Sequence, residues 1–175
     1  MRKVFFPALV VVFLTLVTIA TGQQPPKSPH ESTSAKIDGH KITITYGRPS
    51  LRGRKMIGEH EPYGKVWRTG ADEATTLETD ADLDINGLKV PKGKYALFTL
   101  FTPDSWTLIV NKTATQWGAF KYKEADDLGR VPMNVSKPIA PVEQFTITLV
   151  PAGDSTTLKM EWGNIEASVP VKVAR

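Results

Sequence analysis

The stretch Tyr95-Ala96-Leu97-Phe98-Thr99-Leu100-Phe101, then Thr102-Pro103-Asp104-Ser105, then Trp106-Thr107-Leu108-Ile109-Val110, decides how the rest of the chain reads. Its first seven residues are apolar on both of the faces that alternate along an extended backbone, which is the pattern of a central strand covered on each side. Proline and the short polar side chains after it set up a turn, and the next apolar run supplies an antiparallel partner. The expectation is a hairpin in the middle of a sheet.

Outward from this hairpin the period of two continues. Towards the N-terminus, Ile42, Ile44 and Tyr46 alternate with Thr43 and Thr45, and the dipeptide Asp38-Gly39 turns the chain just before them. Thr75 to Asp80 and Asp82 to Asn86 read as two short strands, with Asn86-Gly87 as a tight turn because both positions tolerate positive φ. Towards the C-terminus, Phe145, Ile147 and Leu149 alternate with threonines, Leu158, Met160 and Trp162 alternate with Lys159 and Glu161, and Ile165 to Val173 closes the chain. Leu128 to Val135 and the last strand are expected at sheet edges, because Pro132 and Pro170 each remove a ladder donor. With no helical period, the fold expected is an antiparallel β-sandwich or jelly-roll-like barrel of about nine strands. A chain of 175 residues, 41% of them hydrophobic, suffices to bury one core, so a single domain over residues 36–175 is expected.

The beginning of the chain reads as processing rather than fold. Arg2 and Lys3 precede an apolar run from Val4 to Ala20, followed by small residues that fit cleavage after Ala20 or Gly22. Residues 1–22 are therefore expected to be a signal peptide, 23–35 a polar, proline-rich flexible lead-in, and the mature protein exported to the periplasm or beyond, with no membrane span after cleavage. The absence of cysteine from the sequence removes disulfides and thioether lipid anchors from consideration. Two sequons, at Asn111 and Asn134, are read as chance matches.

Charge is concentrated in one place. Between Lys41 and Arg68 lie seven basic residues against Glu59 and Glu61, whereas the whole chain carries 22 basic and 18 acidic residues. A local positive field suits a discrete anion site better than a nucleic-acid track, and no nucleic-acid motif accompanies it. The same segment is punctuated by glycine and proline from Gly47 to Gly70, and long irregular insertions in compact domains tend to carry function. Arg48, Arg54 and Arg68 are planar forks suited to carboxylate, sulfate or phosphate, with Asp72 and Glu73 close by in sequence. Internal ion pairing is the competing use for these side chains, and Glu143 is expected to point inward as a partner. Tyr63 and Trp67 offer a platform for a sugar ring or else belong to the core, with Trp106 and Trp117 as further candidates; Trp106 alternates as core does, and Trp117, beside Gly118 in an irregular stretch, is expected to be exposed.

Taken as a series, Tyr46, Arg48-Pro49, Gly53-Arg54, Pro62-Tyr63-Gly64-Lys65-Val66-Trp67-Arg68-Thr69-Gly70-Ala71, Val90-Pro91, Gly93, Tyr95, Asn111-Lys112, Gln116-Trp117-Gly118 and Glu161-Trp162 resemble an exported bacterial family catalogued as domain of unknown function 2911. The resemblance runs over residues 36–173 and implies export and a fold type. It brings no established reaction and therefore no catalytic residue. Asp72 stands where the family is expected to have Asn.

The residues leave few chemical classes. There is no cysteine nucleophile and no Gly-x-Ser-x-Gly elbow, and the three histidines, at 30, 40 and 60, have no metal-binding spacing, so neither a metal nor a cofactor is expected. The leading expectation is an exported binding module. Its segment 48–73 would hold a small anionic or carbohydrate-like ligand, or an envelope protein, through Arg48, Arg54, Tyr63, Trp67, Arg68, Asp72 and Glu73. The alternative is an envelope hydrolase acting on glycans with Asp72 or Glu73 as general acid or base.

Overall fold

A computed structural model describes residues 28–175, so the expected signal peptide and the first part of the lead-in lie outside the described residues. The strands are β1 (His30–Ile37), β2 (His40–Gly47), β3 (Val66–Trp67), β4 (Thr75–Thr79), β5 (Leu83–Ile85) and β6 (Leu88–Val90) in the first half. The second half holds β7 (Gly93–Phe101), β8 (Trp106–Asn111), β9 (Asp127–Ser136), β10 (Val142–Ala152), β11 (Ser155–Gly163) and β12 (Ile165–Val173). Nine of them form one antiparallel path, β1-β2-β4-β7-β8-β9-β12-β11-β10, that curls into a nearly closed barrel. The all-β expectation holds, and Glu124–Asp126 makes the only helical turn among the described residues, a short 3₁₀ segment.

The hairpin of β7 and β8 pairs from Ala96 with Asn111 to Phe101 with Trp106, and β7 lies inside the sheet as its two apolar faces require. Leu97 and Phe101 point into the barrel. Ala96 and Phe98 point outward, where they form a second, smaller core with Ala74 and Ile109. That outer core is covered by the segment after β8, through Ala119 and Tyr122. The turn Asn86-Gly87 has φ of 48° and 93° and Asp38-Gly39 has 50° and 83°, the doubly positive geometry that tight two-residue hairpins use.

The sequence reading differs from the structure at four places. Residues 30–35 are a strand rather than a flexible lead-in: β1 pairs with β2 over its whole length, and Ser32 Oγ meets Thr45 Oγ1 at 2.8 Å. Its inward positions Thr33 and Ala35 are small, so the strand lacks the apolar signature by which the others are found. Pro132 and Pro170 are not on edge strands. β12 pairs with β9 through Glu166 to Ser168 and with β5 through Val171 to Val173, so Pro170 falls in the gap between two partners. Pro132 pairs with Thr107 on one side and has no β12 partner on the other, because β9 reaches β12 only from Asn134 onward. Glu143 is exposed, since β10 departs from β11 between Val142 and Thr146; its carboxylate accepts the Arg52 N–H at 2.7 Å.

The barrel closes between β1–β2 and β10 without a full ladder. Tyr46 Oη accepts the Ile147 N–H at 2.9 Å and lies 3.3 Å from the Ile147 carbonyl, while the chain leaving β2 bonds to β10 through Leu51 N to Glu143 O and Phe145 N to Pro49 O, both 2.9 Å. The inside is filled by aromatic rings: Trp67 stacks on Trp162 at 5.5 Å and meets Phe145 edge-on at 5.0 Å. This cluster is what the central insertion wraps.

Candidate functional site

The arginines of the insertion do not converge. Arg48 staples the barrel seam: its Nε donates to the Phe145 carbonyl at 3.1 Å, its Nη2 to Thr146 Oγ1 at 2.8 Å, and its Nη1 to the Glu31 carboxylate. Arg54 folds back on its own loop, donating to the Leu51 and Ser50 carbonyls, both at 3.0 Å. Both therefore have structural work, as internal pairing would predict. Arg68 is different. Its guanidinium makes no hydrogen bond and no salt bridge among the described residues, although its Nε is buried. It acts at a distance on Glu61, whose own carboxyl is pushed up by burial and drawn partly back by Arg68.

Local backbone geometry explains how Arg68 is aimed. β3 delivers Trp67 into the core with 3% exposure, so Arg68, the next residue, leaves on the outer face. Thr69 follows at φ 58°, an uncommon conformation for a β-branched residue. It is held there by Thr75 Oγ1 donating to its carbonyl at 2.7 Å and by Thr99 at 3.3 Å. Gly70 and Ala71 then pass so close to Gly47 that no side chain fits between the backbones. Asp72 has φ 63°, a region that Asn and Asp enter more readily than other side chains. The Asp found where Asn was expected thus preserves the backbone role of the position.

This segment meets a second one that sequence reasoning left out of the site. Asn111, fully buried, donates to the Asp127 carboxylate at 2.8 Å and the Lys123 carbonyl at 3.2 Å, and its Oδ1 accepts from Thr113 N and Gln116 Nε2. Such burial is incompatible with glycosylation there. The network fixes the covering segment so that Trp117 pairs through its backbone with Glu73, and Gly118 N donates to the Asp72 carbonyl at 2.9 Å. Trp117 is 52% exposed and Phe120 84%. A Cβ on Gly118 would lie 2.9 Å from the Phe120 ring and 3.8 Å from Arg68 Nη1, so the ring and the guanidinium border one small surface.

The two carboxylates lie at the edge of this surface. Asp72 Oδ2 is 3.3 Å and Glu73 Oε2 3.5 Å from the same nitrogen, His30 Nε2. Beside them opens a cavity of about 250 Å³, lined by His30, Glu73, Thr76, Lys94, Thr115 and Gln116 among others. Gln116 is itself buried, and its Oε1 has no hydrogen-bond partner. No group of three or more His, Cys, Asp and Glu side chains is arranged to hold a metal ion among the described residues.

Of the seven residues expected from sequence, Asp72 and Glu73 meet on His30, and the backbone pairing of 72–73 with 117–118 sets them next to the Gly118 that Arg68 borders. Arg54 and Tyr63 lie at a different hollow at the end of the barrel, Trp67 is core beneath that hollow, and Arg48 is in the seam. The residues missed are His30, Gln116 and Phe120, while Trp117, a further candidate platform for a sugar ring, is exposed as expected. The exposed aromatics of the irregular stretch 112–126 were a usable signal. His30, in a stretch read as lead-in, carried none.

A family model matches residues 28–171, and the chain belongs to that family, described as a protein of unknown function, DUF2911. No curated protein and no solved structure matches it.

Proposed function

We propose that the protein is an exported binding module that takes a small anionic or carbohydrate-like ligand on the face shared by Arg68, Asp72, Glu73 and Trp117. One observation carries the reading: Arg68 is a charged fork with no protein partner among the described residues, bordering the exposed Phe120 ring across Gly118, next in sequence to the exposed Trp117. Its Nε is closed off, but the guanidinium tip borders the surface at Gly118 without a protein acceptor, and a ligand anion would supply one through charge-assisted hydrogen bonds to the terminal nitrogens. Trp117 offers a flat apolar face for a sugar ring, and the Asp72 and Glu73 oxygens can accept from hydroxyls. The reading is tested by applying purified mature protein to an array of neutral and uronic-acid-containing oligosaccharides. Retained ligands should carry an anionic group, and Arg68→Ala should lose at least tenfold in affinity. Binding that is indifferent to Arg68, or no binding across the array, would contradict it.

A second reading has its own observation. Asp72 and Glu73 converge on one imidazole nitrogen, an arrangement from which a carboxyl could serve as general acid or base in glycan hydrolysis. Turnover of chromogenic glycosides that disappears in both Asp72→Asn and Glu73→Gln would favour it over simple binding.

A further inference from the structure

At the end of the barrel, away from Arg68, a second hollow of about 400 Å³ lies between the loop 51–63 and the turn joining β11 to β12. That volume falls within the range of small-molecule sites, roughly 300–1,000 Å³. Its apolar lining comes from Leu51, Met56, Ile57, Tyr63, Trp162 and Ile165. Among the described residues that line it, the charged ones are two cations, Arg54 and Lys55. Such a lining disfavours a neutral polar ligand, because most of its surface offers no hydrogen bonds, and it disfavours a cation by charge.

Two details show a formed site rather than a gap between loops. Tyr63 is 42% exposed yet fixed: its ring packs against Gly58, where any Cβ would come within 2.6 Å of it, and meets Phe101 edge-on at 6.2 Å. Trp162 is 2% exposed, stacked on Trp67, and its Nε1 finds no hydrogen-bond partner. Buried indole N–H groups usually have one. That N–H is closed off from the hollow, so Trp162 gives the floor its apolar ring, while the rim holds two positive charges, one of which, Lys55, pairs with Glu59 at 3.5 Å on the exposed side.

We infer that this hollow binds a small amphiphilic carboxylate, with the hydrocarbon body against Ile57, Tyr63 and Trp162 and the charged head at Arg54 and Lys55. The site is independent of the Arg68 face, and either can fail without the other. Its test is a titration of ¹⁵N-labelled mature protein with decanoate, decanol and decyltrimethylammonium, reading the indole N–H resonances. The Trp162 indole signal should move saturably with decanoate, with affinity at least tenfold above that for decanol and with no saturable shift for the cation. Lys55→Gln should narrow the decanoate preference while leaving decanol unchanged, and Tyr63→Ala should weaken both. No movement of the Trp162 signal at millimolar decanoate, or equal affinity for the three head groups, would overturn the inference.

Discussion

At the scale of single residues, the molecule separates arginines that build from one that does not. Arg48 and Arg54 donate to backbone carbonyls and a hydroxyl of the fold itself, whereas Arg68 makes no hydrogen bond or salt bridge among the described residues and acts on Glu61 through its charge. Glu61 reports on this region through its ionisation. Burial raises its carboxyl above the ordinary value of 4.5, with Arg68 opposing. A carboxyl whose folded value is raised binds protons more tightly in the folded state, so stability is greatest at acid pH and falls as pH rises through the folded value. Glu61→Gln should therefore raise the melting temperature at pH 7, and the gain should vanish below pH of about 4.5, where the wild-type carboxyl is protonated in both states. Melting curves of the two proteins from pH 4 to 8 check this; a difference that is constant with pH would refute the assignment.

At the scale of elements, the important piece is the segment between β8 and β9. It has almost no regular structure, and its shape depends on the buried side chain of Asn111, which satisfies donors and acceptors on four other residues. Asn111→Ala should destabilise the domain by roughly 2–3 kcal/mol, since it leaves buried polar groups unpaired. It should also increase the mobility of Trp117, seen as a red-shifted, more quenchable tryptophan fluorescence. Tyr122 anchors the far end of the segment by donating to Asp127 at 2.7 Å while accepting from Arg130 at 2.7 Å. Burial and the Asp127 carboxylate together push its phenol up to about 12. Absorbance titration at alkaline pH should find one tyrosine ionising near that value and lost in Tyr122→Phe. Regular elements such as β7 and β8 were legible in the sequence because period-two apolarity is a local signal. This segment was not, because its form is set by one amide reaching residues up to sixteen positions away. β1 escaped for the complementary reason, that its inward side chains are small and polar enough to resemble a linker.

At the scale of the whole molecule, nine strands close most of a barrel and leave a seam that side chains complete. The seam explains why a compositionally basic insertion did not become a basic pocket. Its first arginine is committed to joining β2 and β1 to β10, and that use depends on pairings nearly a hundred residues apart, which no local pattern reveals. Replacing Arg48 with Met should speed amide exchange at Phe145 and Ile147 on β10 ahead of global unfolding, whereas the β7–β8 amides should keep their protection. Equal loss of protection everywhere would mean that the seam has no separate role. What remains accessible on this frame is the outer face, where Arg68 borders Gly118 and the backbone of Trp117-Gly118 pairs with Asp72-Glu73.

The most direct test of that division is thermal unfolding of Arg68→Ala beside Arg48→Ala at neutral pH. Loss of the Arg48 hydrogen bonds should cost about 2–3 kcal/mol and lower the melting temperature by roughly 6–12 °C, while Arg68→Ala should stay within a few degrees of wild type. An Arg68→Ala protein that melts as early as the seam variant would mean that this guanidinium holds the fold together, and it would contradict the account.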